Sequence, residues 1–548
     1  MRLSPVAKSA CKMSLKCQES AGLLDSRVGK TARTTGGLVT ALSWVSAQWV
    51  TLNSSAISSG FWGVWRLAIL LCCVQSPLLQ AVEDYDLVID GGRVIDPETH
   101  MDAVRSVGIR NGRIEAISEA ALEGRERLDA SGLVVAPGFI NLHSHSVAAP
   151  GYRLELLDGV TTVLELEAGR FPVPRREHAT NAAALTHYGA SVGHAWIRMS
   201  VIDPEGLREV ARSGKVDMSG PAFTQVASDD QREQIEKLIA REIEAGGLGI
   251  GFLLDYMASA VDEAERDMVF RVAAQHGVPV FAHVRRGIDG DPAGLDEIIA
   301  AAERAGASAH ICHINASAMS GVSVWLDKID AARERGVDVT TEMFPWTAGS
   351  ALISSDVFSR DWRRIFSIDY GDVQWAETGE WLTEETFERY QQERPDGQTM
   401  HHYIREEWNR LAIGRPHVMV ASDAMPLTSY DRKVVPNGAG TSARILGQYV
   451  REEQLLTLSD ALARLSLLPA RRLESFAPAF ARKGRLQLGA DADIVVFDAN
   501  TIGARASYLE PFTPAVGLRA VIVGGAIAAH DGELLAETHG GALITASP

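Results

Sequence analysis

Cysteine is nearly missing from the body of this 548-residue chain. Of five cysteines, Cys11, Cys17, Cys72 and Cys73 fall in the first 82 residues, and only Cys312 lies beyond. A disulfide framework in the main body is thereby excluded. Positive charge is also short: 53 Lys+Arg face 70 Asp+Glu, a net of -17, which argues against a nucleic-acid surface. The deficit is uneven, because residues 1–82 hold eight basic and only two acidic side chains. Nor is there an uninterrupted apolar run of membrane-spanning length. The nearest candidate is "WRLAILLCCVQSPLLQA", Trp65–Ala81. Its short apolar core, Leu67 to Val74, stops at Pro77 and reads as an export signal, although Leu79 sits where a small residue is preferred. A periplasmic or extracellular protein is the expectation, and a cytoplasmic one the alternative. Residues 1–82 are expected to lie outside the catalytic body. Two chemical signatures are absent as well. There is no Gly-x-Ser-x-Gly nucleophile elbow. No phosphate-cradling loop follows the first strand of the middle region, and "GGLGIG", 246–251, reads as tight turns.

What is present falls into two textures. From Asp84 to Ser118, short Val/Ile strands alternate with turn signals, among them the Asn111-Gly112 hairpin. The same texture returns late, in "DADIVVFDAN" and around Asp531-Gly532. Neither set can bury a core alone, so 83–136 and 479–542 are expected to form one composite β-sandwich domain. Between them, 137–478 alternates apolar strands with amphipathic helices such as "DEAERDMVFRVAAQHG", whose Ala264, Met268, Val269 and Val272 share a stripe that Gly277 ends. That is the α/β pattern of a parallel sheet. Its length and the polar residues at its strand ends favour a (β/α)8 TIM barrel over a doubly wound sheet.

Those strand ends repeat one chemical theme. "GFINLHSHS", 138–146, brings His143 and His145 to one face of an extended segment, and imidazole is a good zinc ligand. His283 follows "GVPVFA", His313 follows "SAHIC", and Asp423 follows "HVMVAS". Glu165 and Glu167 share a face in "GVTTVLELEAG", with Glu167 nearer the C-terminal end. Any one of these is more often structural. Five such strand ends in one barrel point to one or two divalent ions, zinc first, that activate water against a carbonyl. Asp423 is then the general acid/base. His194 is either an oxyanion donor or supporting group, or a satisfied core histidine.

The chain resembles the amidohydrolase superfamily, in its N-acyl-D-amino-acid deacylase (D-aminoacylase) branch, with dihydroorotase and hydantoinase as further relatives. The resemblance runs over about 84–540. It rests on "APGFINLHSH", "GVTT", "GHAWIR", "GGLGIGFLLDY", "FAHVRRG", "ICHIN", "TEMFPWTAGS", "VASD" and "KGRLQLGADADIVVFD". It implies hydrolysis of a C–N amide bond in a small molecule, with no nucleic-acid partner; a homo-oligomer is compatible but not demanded. It implies that His143, His145 and Asp423 hold the more buried metal, and His283 and His313 the second. Where the branch has a bridging cysteine this chain has Ala168, and Glu167 is the natural substitute. A one-metal site is the next reading, and a non-catalytic metal-binding scaffold the rival of another class.

Other departures concern the substrate. Ile314-Asn315 follow His313 in place of a lysine, Phe344 and Trp346 replace two tyrosines, and the His-Pro-Arg segment is missing. Arg285, Asn315, Trp346 and Tyr256 are the candidates for contacting substrate. Arg285 would take a carboxylate or pair with a surface acid, and Trp346 would face the mouth or pack in the core. A linear N-acyl (D-)amino acid is the first expectation, and a cyclic amide of the dihydroorotase or hydantoinase kind the second.

Overall fold

The computed structural model describes residues 85–175, 184–431, 433–535 and 540–546. The export-signal reading at 65–81 and the four early cysteines lie outside the described residues. Two sheets dominate. The first has nine strands and is mixed. Its N-terminal members run from Tyr85–Asp96 to Val134–Pro137, and its C-terminal members from Ile494–Phe497 to Glu533–Leu534. They join where Val134–Pro137 pairs antiparallel with Ile494–Phe497. One interior cluster, including Ile89, Val107, Val135, Ile494 and Ile522, is therefore shared by segments some 400 positions apart. Both hairpins form as their turn residues require. Asn111 and Gly112 have φ of 51° and 73°, and Asp531 and Gly532 have 49° and 79°.

The second sheet has eight parallel strands: Phe139–Asn141, Val160–Arg170, His187–Gly193, Ile250–Leu253, Val280–His283, Ala309–Ile311, Val339–Met343 and Val418–Val420, paired in that order. This is a nearly closed (β/α)8-like barrel. The apolar run Leu133–Ile140 thus serves both sheets, split at the Pro137-Gly138 break. Helices between the strands end as their glycines dictate: Glu263–His276 stops at Gly277 (φ 64°) and Ala293–Ala305 at Gly306 (φ 65°).

The gap between the first and last strands is closed beyond the strands themselves. Asp423 N donates to His143 O at 2.9 Å, and His145 N donates to Ala424 O at 2.8 Å. The backbone that completes the barrel is the backbone that carries His143, His145 and Asp423. A long excursion, 344–417, separates the last two strands and carries its own four-stranded antiparallel sheet. At the other end of the third strand, Ile544 N bonds Tyr188 O, so the tail after the last hairpin returns to the barrel. No described helix is long and apolar enough to cross a membrane.

Candidate metal centre

Four imidazoles and four carboxyl groups converge at the C-terminal mouth of the barrel. On one side, His143 Nε2 lies 3.2 Å from His145 Nε2. Asp423 Oδ1 is 3.2 Å from the first nitrogen and 3.5 Å from the second. Glu167 Oε2 is 3.2 and 3.4 Å from the same two atoms. Donors on a tetrahedron with bonds of about 2.0–2.1 Å stand about 3.3–3.4 Å apart. These spacings fit a zinc-sized ion. On the other side, Glu167 Oε1 is 2.9 Å from His283 Nδ1 and 2.8 Å from His313 Nε2, and those nitrogens are 3.1 Å apart. Each oxygen of Glu167 thus faces its own pair of histidines.

The outer atoms of the rings are also held. His143 Nδ1 is 2.6 Å from Glu342, and His145 Nδ1 is 2.9 Å from Glu165. His313 Nδ1 is 3.0 Å from the Ser317 hydroxyl. Such partners fix which nitrogen is free to bind a metal. Geometry therefore separates the two glutamates of the second strand: Glu167 faces the cluster, and Glu165 orients His145. Glu342 carries the same role for His143 but was not singled out by sequence. Its only signal there is a carboxylate inside an apolar strand, "VTTEMF".

Charge gives a second test of fit. Glu165, Glu167, Glu342 and Asp423 are buried or nearly so. Among the described residues no lysine or arginine is hydrogen-bonded to any of them. Buried carboxylates need compensating positive charge, and two divalent ions would balance four. The same excess of carboxylate acts on the histidines. Burial disfavours protonating His143 and His145, yet the surrounding carboxylates lift both well above the ordinary imidazole value. Burial likewise opposes charge on Glu167 and Asp423, and His143 leads the groups that hold both far below the usual carboxylate range. Two of these residues also hold strained backbone: His313 and Asp423 have φ of 34° and 51°, a region that disfavours side chains.

Of the residues expected to contact substrate, Tyr256 alone is brought to the cluster, its ring 4.6 Å from that of His283. Burial keeps its phenol protonated well above its ordinary value. The others have polar groups engaged elsewhere. Arg285 bonds Glu297 at 2.6 Å and the carbonyl of Val261, so an acid of its own barrel takes the guanidinium. Asn315 is fully buried and donates to Phe344 O and Asn409 Oδ1, tying loops together. Trp346 is 2% exposed, donates to Thr441 Oγ1 and lies under the Arg444 guanidinium, which is core packing. His194 is enclosed, bonded to Glu265 at 2.7 Å and edge-on to Phe252; Glu265 also pairs with Arg198. Its Nδ1 is buried without a hydrogen-bond partner among the described residues, and burial lowers its pKa. Cys312 is buried in the barrel interior with Ile140, Leu142, Leu166 and Met419, beneath His143 rather than turned away from the site.

Known proteins share this architecture. The amidohydrolase family model matches residues 326–529. The N-acyl-D-glutamate deacylase of Alcaligenes xylosoxydans xylosoxydans is 33% identical over 474 residues, 81% of this chain and 93% of that protein. The D-aminoacylase of the same organism is 27% identical over 83% of this chain and 98% of its own length. Among solved structures, an N-acyl-D-glutamate deacylase from Bordetella bronchiseptica, complexed with zinc and a phosphonate inhibitor, superposes with a TM-score of 0.69. It is 27% identical and covers 85% of this chain and 100% of that one. With a third of its residues shared over four-fifths of its length, the chain belongs to the amidohydrolase family, in its N-acyl-D-amino-acid deacylase branch.

Proposed function

We propose that this enzyme, a metal-dependent amide hydrolase, removes the acyl group from an N-acyl D-amino acid. The observation that carries the reading is Glu167, with one oxygen on each of two histidine pairs and Asp423 closing the first. His143, His145 and Asp423 would hold one divalent ion, His283 and His313 the other, with Glu167 between. Bound there, such ions lower the pKa of water and polarise a carbonyl. Asp423 turns Oδ1 to the histidines, which leaves Oδ2 to take a proton from the attacking water and return it to the leaving nitrogen. Tyr256, a neutral phenol packed on His283, is placed to donate to the carbonyl oxygen as it gains charge. Glu165 and Glu342 keep the first two rings in their binding tautomer.

The relatives named for D-amino-acid substrates support the configuration. The test is purified protein assayed with zinc on N-acetylated D- and L-amino acids and on cyclic amides such as hydantoin. Turnover of acylated D-amino acids, lost on chelation and restored by zinc, is expected. Turnover confined to the cyclic amides would reject deacylation, and full activity in metal-free protein would reject the centre.

A further inference from the structure

Three of the four cluster histidines have a hydrogen-bond partner for the nitrogen turned away from the centre. The fourth does not. His283 directs Nδ1 to Glu167, and its Nε2 is buried without a hydrogen-bond partner among the described residues. When Nδ1 binds a metal, Nε2 must carry the proton. A buried N–H left unpaired is destabilising. The nearest carboxylate is Asp255, whose Oδ2 stands 3.8 Å away, just beyond bonding distance.

Asp255 is fully buried and gripped by two arginines from different parts of the chain. Arg286, three residues past His283, donates to Oδ2 through Nε at 2.6 Å and to Oδ1 through its backbone N at 2.9 Å. Arg360 donates to Oδ1 at 2.7 Å. Arg360 belongs to the 344–417 excursion, as do Phe366, under the Arg286 guanidinium, and Tyr403, whose hydroxyl accepts from Arg286. The carboxylate is thus shared between His283 and two cations, one of which only the excursion supplies.

Resting on the two-metal reading above, we propose that Asp255 is the positioning carboxylate for His283 and that Arg360 restrains it. Arg286 alone offers Asp255 three donors, so Arg360 is not needed to hold it in place. What Arg360 adds is a competing positive charge, which weakens the pull of Asp255 on the His283 N–H and thereby the second ion. Asp255 and Arg360 should therefore act in opposite directions. A purely structural clamp would make both substitutions act alike.

The experiment is a chelator competition on the whole chain, reading the affinity of each zinc separately, with circular dichroism as a folding check. Asp255→Asn should weaken the second zinc by about 10–100-fold, the range for such outer partners, and spare the first. Arg360→Met should tighten the second zinc several-fold, and Arg360→Lys should stay near the unaltered protein. Weakening by both Asp255→Asn and Arg360→Met, or no change in either, overturns the proposal. If Asp255→Asn does not fold, Arg360→Met decides alone through its sign. Unaltered protein that binds no zinc would instead overturn the two-metal reading itself.

Discussion

Glu167 has two oxygens and four imidazole neighbours, with one oxygen turned to each half of the cluster. Glu167→Gln keeps its shape but replaces one oxygen with a donor that cannot bind a cation. Metal content should fall from two ions towards one per chain with the fold intact, read by elemental analysis beside circular dichroism. Two ions retained would remove Glu167 as the bridge. Asp423→Asn should cost at least about two decades in turnover, the lower end for a positioned acid/base. Turnover within threefold of the unaltered enzyme would assign the proton transfer elsewhere. These two residues were legible in the sequence because each is a ligand-type side chain near the C-terminal end of an apolar strand. Glu342 and Asp255 were not, because they act on other residues rather than on the centre. Arg285 and Trp346 each kept two readings in the sequence for a related reason: a sequence shows which groups stand near a strand end but not which neighbour claims them. Glu297 claims Arg285, and Thr441 and Arg444 enclose Trp346.

Among elements, the helix that opens at Thr441 and continues through the π-helical Ile445–Glu452 shows a cost built into the fold. Asp158 accepts from Ser442 N at 2.6 Å and Ala443 N at 3.0 Å, capping that helix from the loop ahead of the second barrel strand. Burial outweighs those bonds and pushes its carboxyl up to about 7. An acid whose pKa is raised by folding binds its proton more tightly in the folded chain. Its contribution to stability is then greatest below about pH 4 and declines as pH rises towards 7, by roughly 4 kcal/mol at full extent. Asp158→Asn mimics the protonated form and keeps an acceptor for the helix. Urea midpoints measured from pH 4 to 7 should fall less steeply for the variant; equal slopes would show that Asp158 does not titrate there. The helices bounded by Gly277 and Gly306 and both hairpins were readable from local rules, since their turn chemistry sits in adjacent residues. The sheet inside 344–417 was not, because its outer strand Glu380–Trp381 is only two residues long and its order is set by non-local pairing.

Across the whole molecule, the barrel and the nine-stranded sheet are joined at one buried polar knot. Asp493, just before Ile494–Phe497, accepts from Lys483 Nζ at 2.6 Å and Gly524 N at 2.8 Å, and its Oδ1 lies 2.9 Å from His187 Nε2 on the third barrel strand. The other nitrogen of His187 accepts from Ala542 N in the returning tail. The C-terminal half of the sheet, Lys483 and a barrel strand thus meet on one carboxylate, and the tail bonds the same histidine. Burial opposes its charge, but His187 and Lys483 hold its carboxyl far below the usual range. A depressed carboxyl stabilises the fold above its unfolded pKa, near 4, and that contribution drains away as pH falls. Asp493→Asn takes from Lys483 its nearer, fully buried counter-charge and leaves Asp491 at 3.3 Å, so the loss should reach at most about 3–5 kcal/mol, the figure for a broken buried pair. Unfolding followed separately by tryptophan fluorescence and by far-ultraviolet circular dichroism should show that loss at pH 7 and a narrower gap between variant and unaltered protein below pH 4. Because both layers depend on the knot, the two probes should shift together. A variant as stable as the unaltered chain at pH 7, or a gap that widens in acid, would show that the layers are held by apolar packing alone.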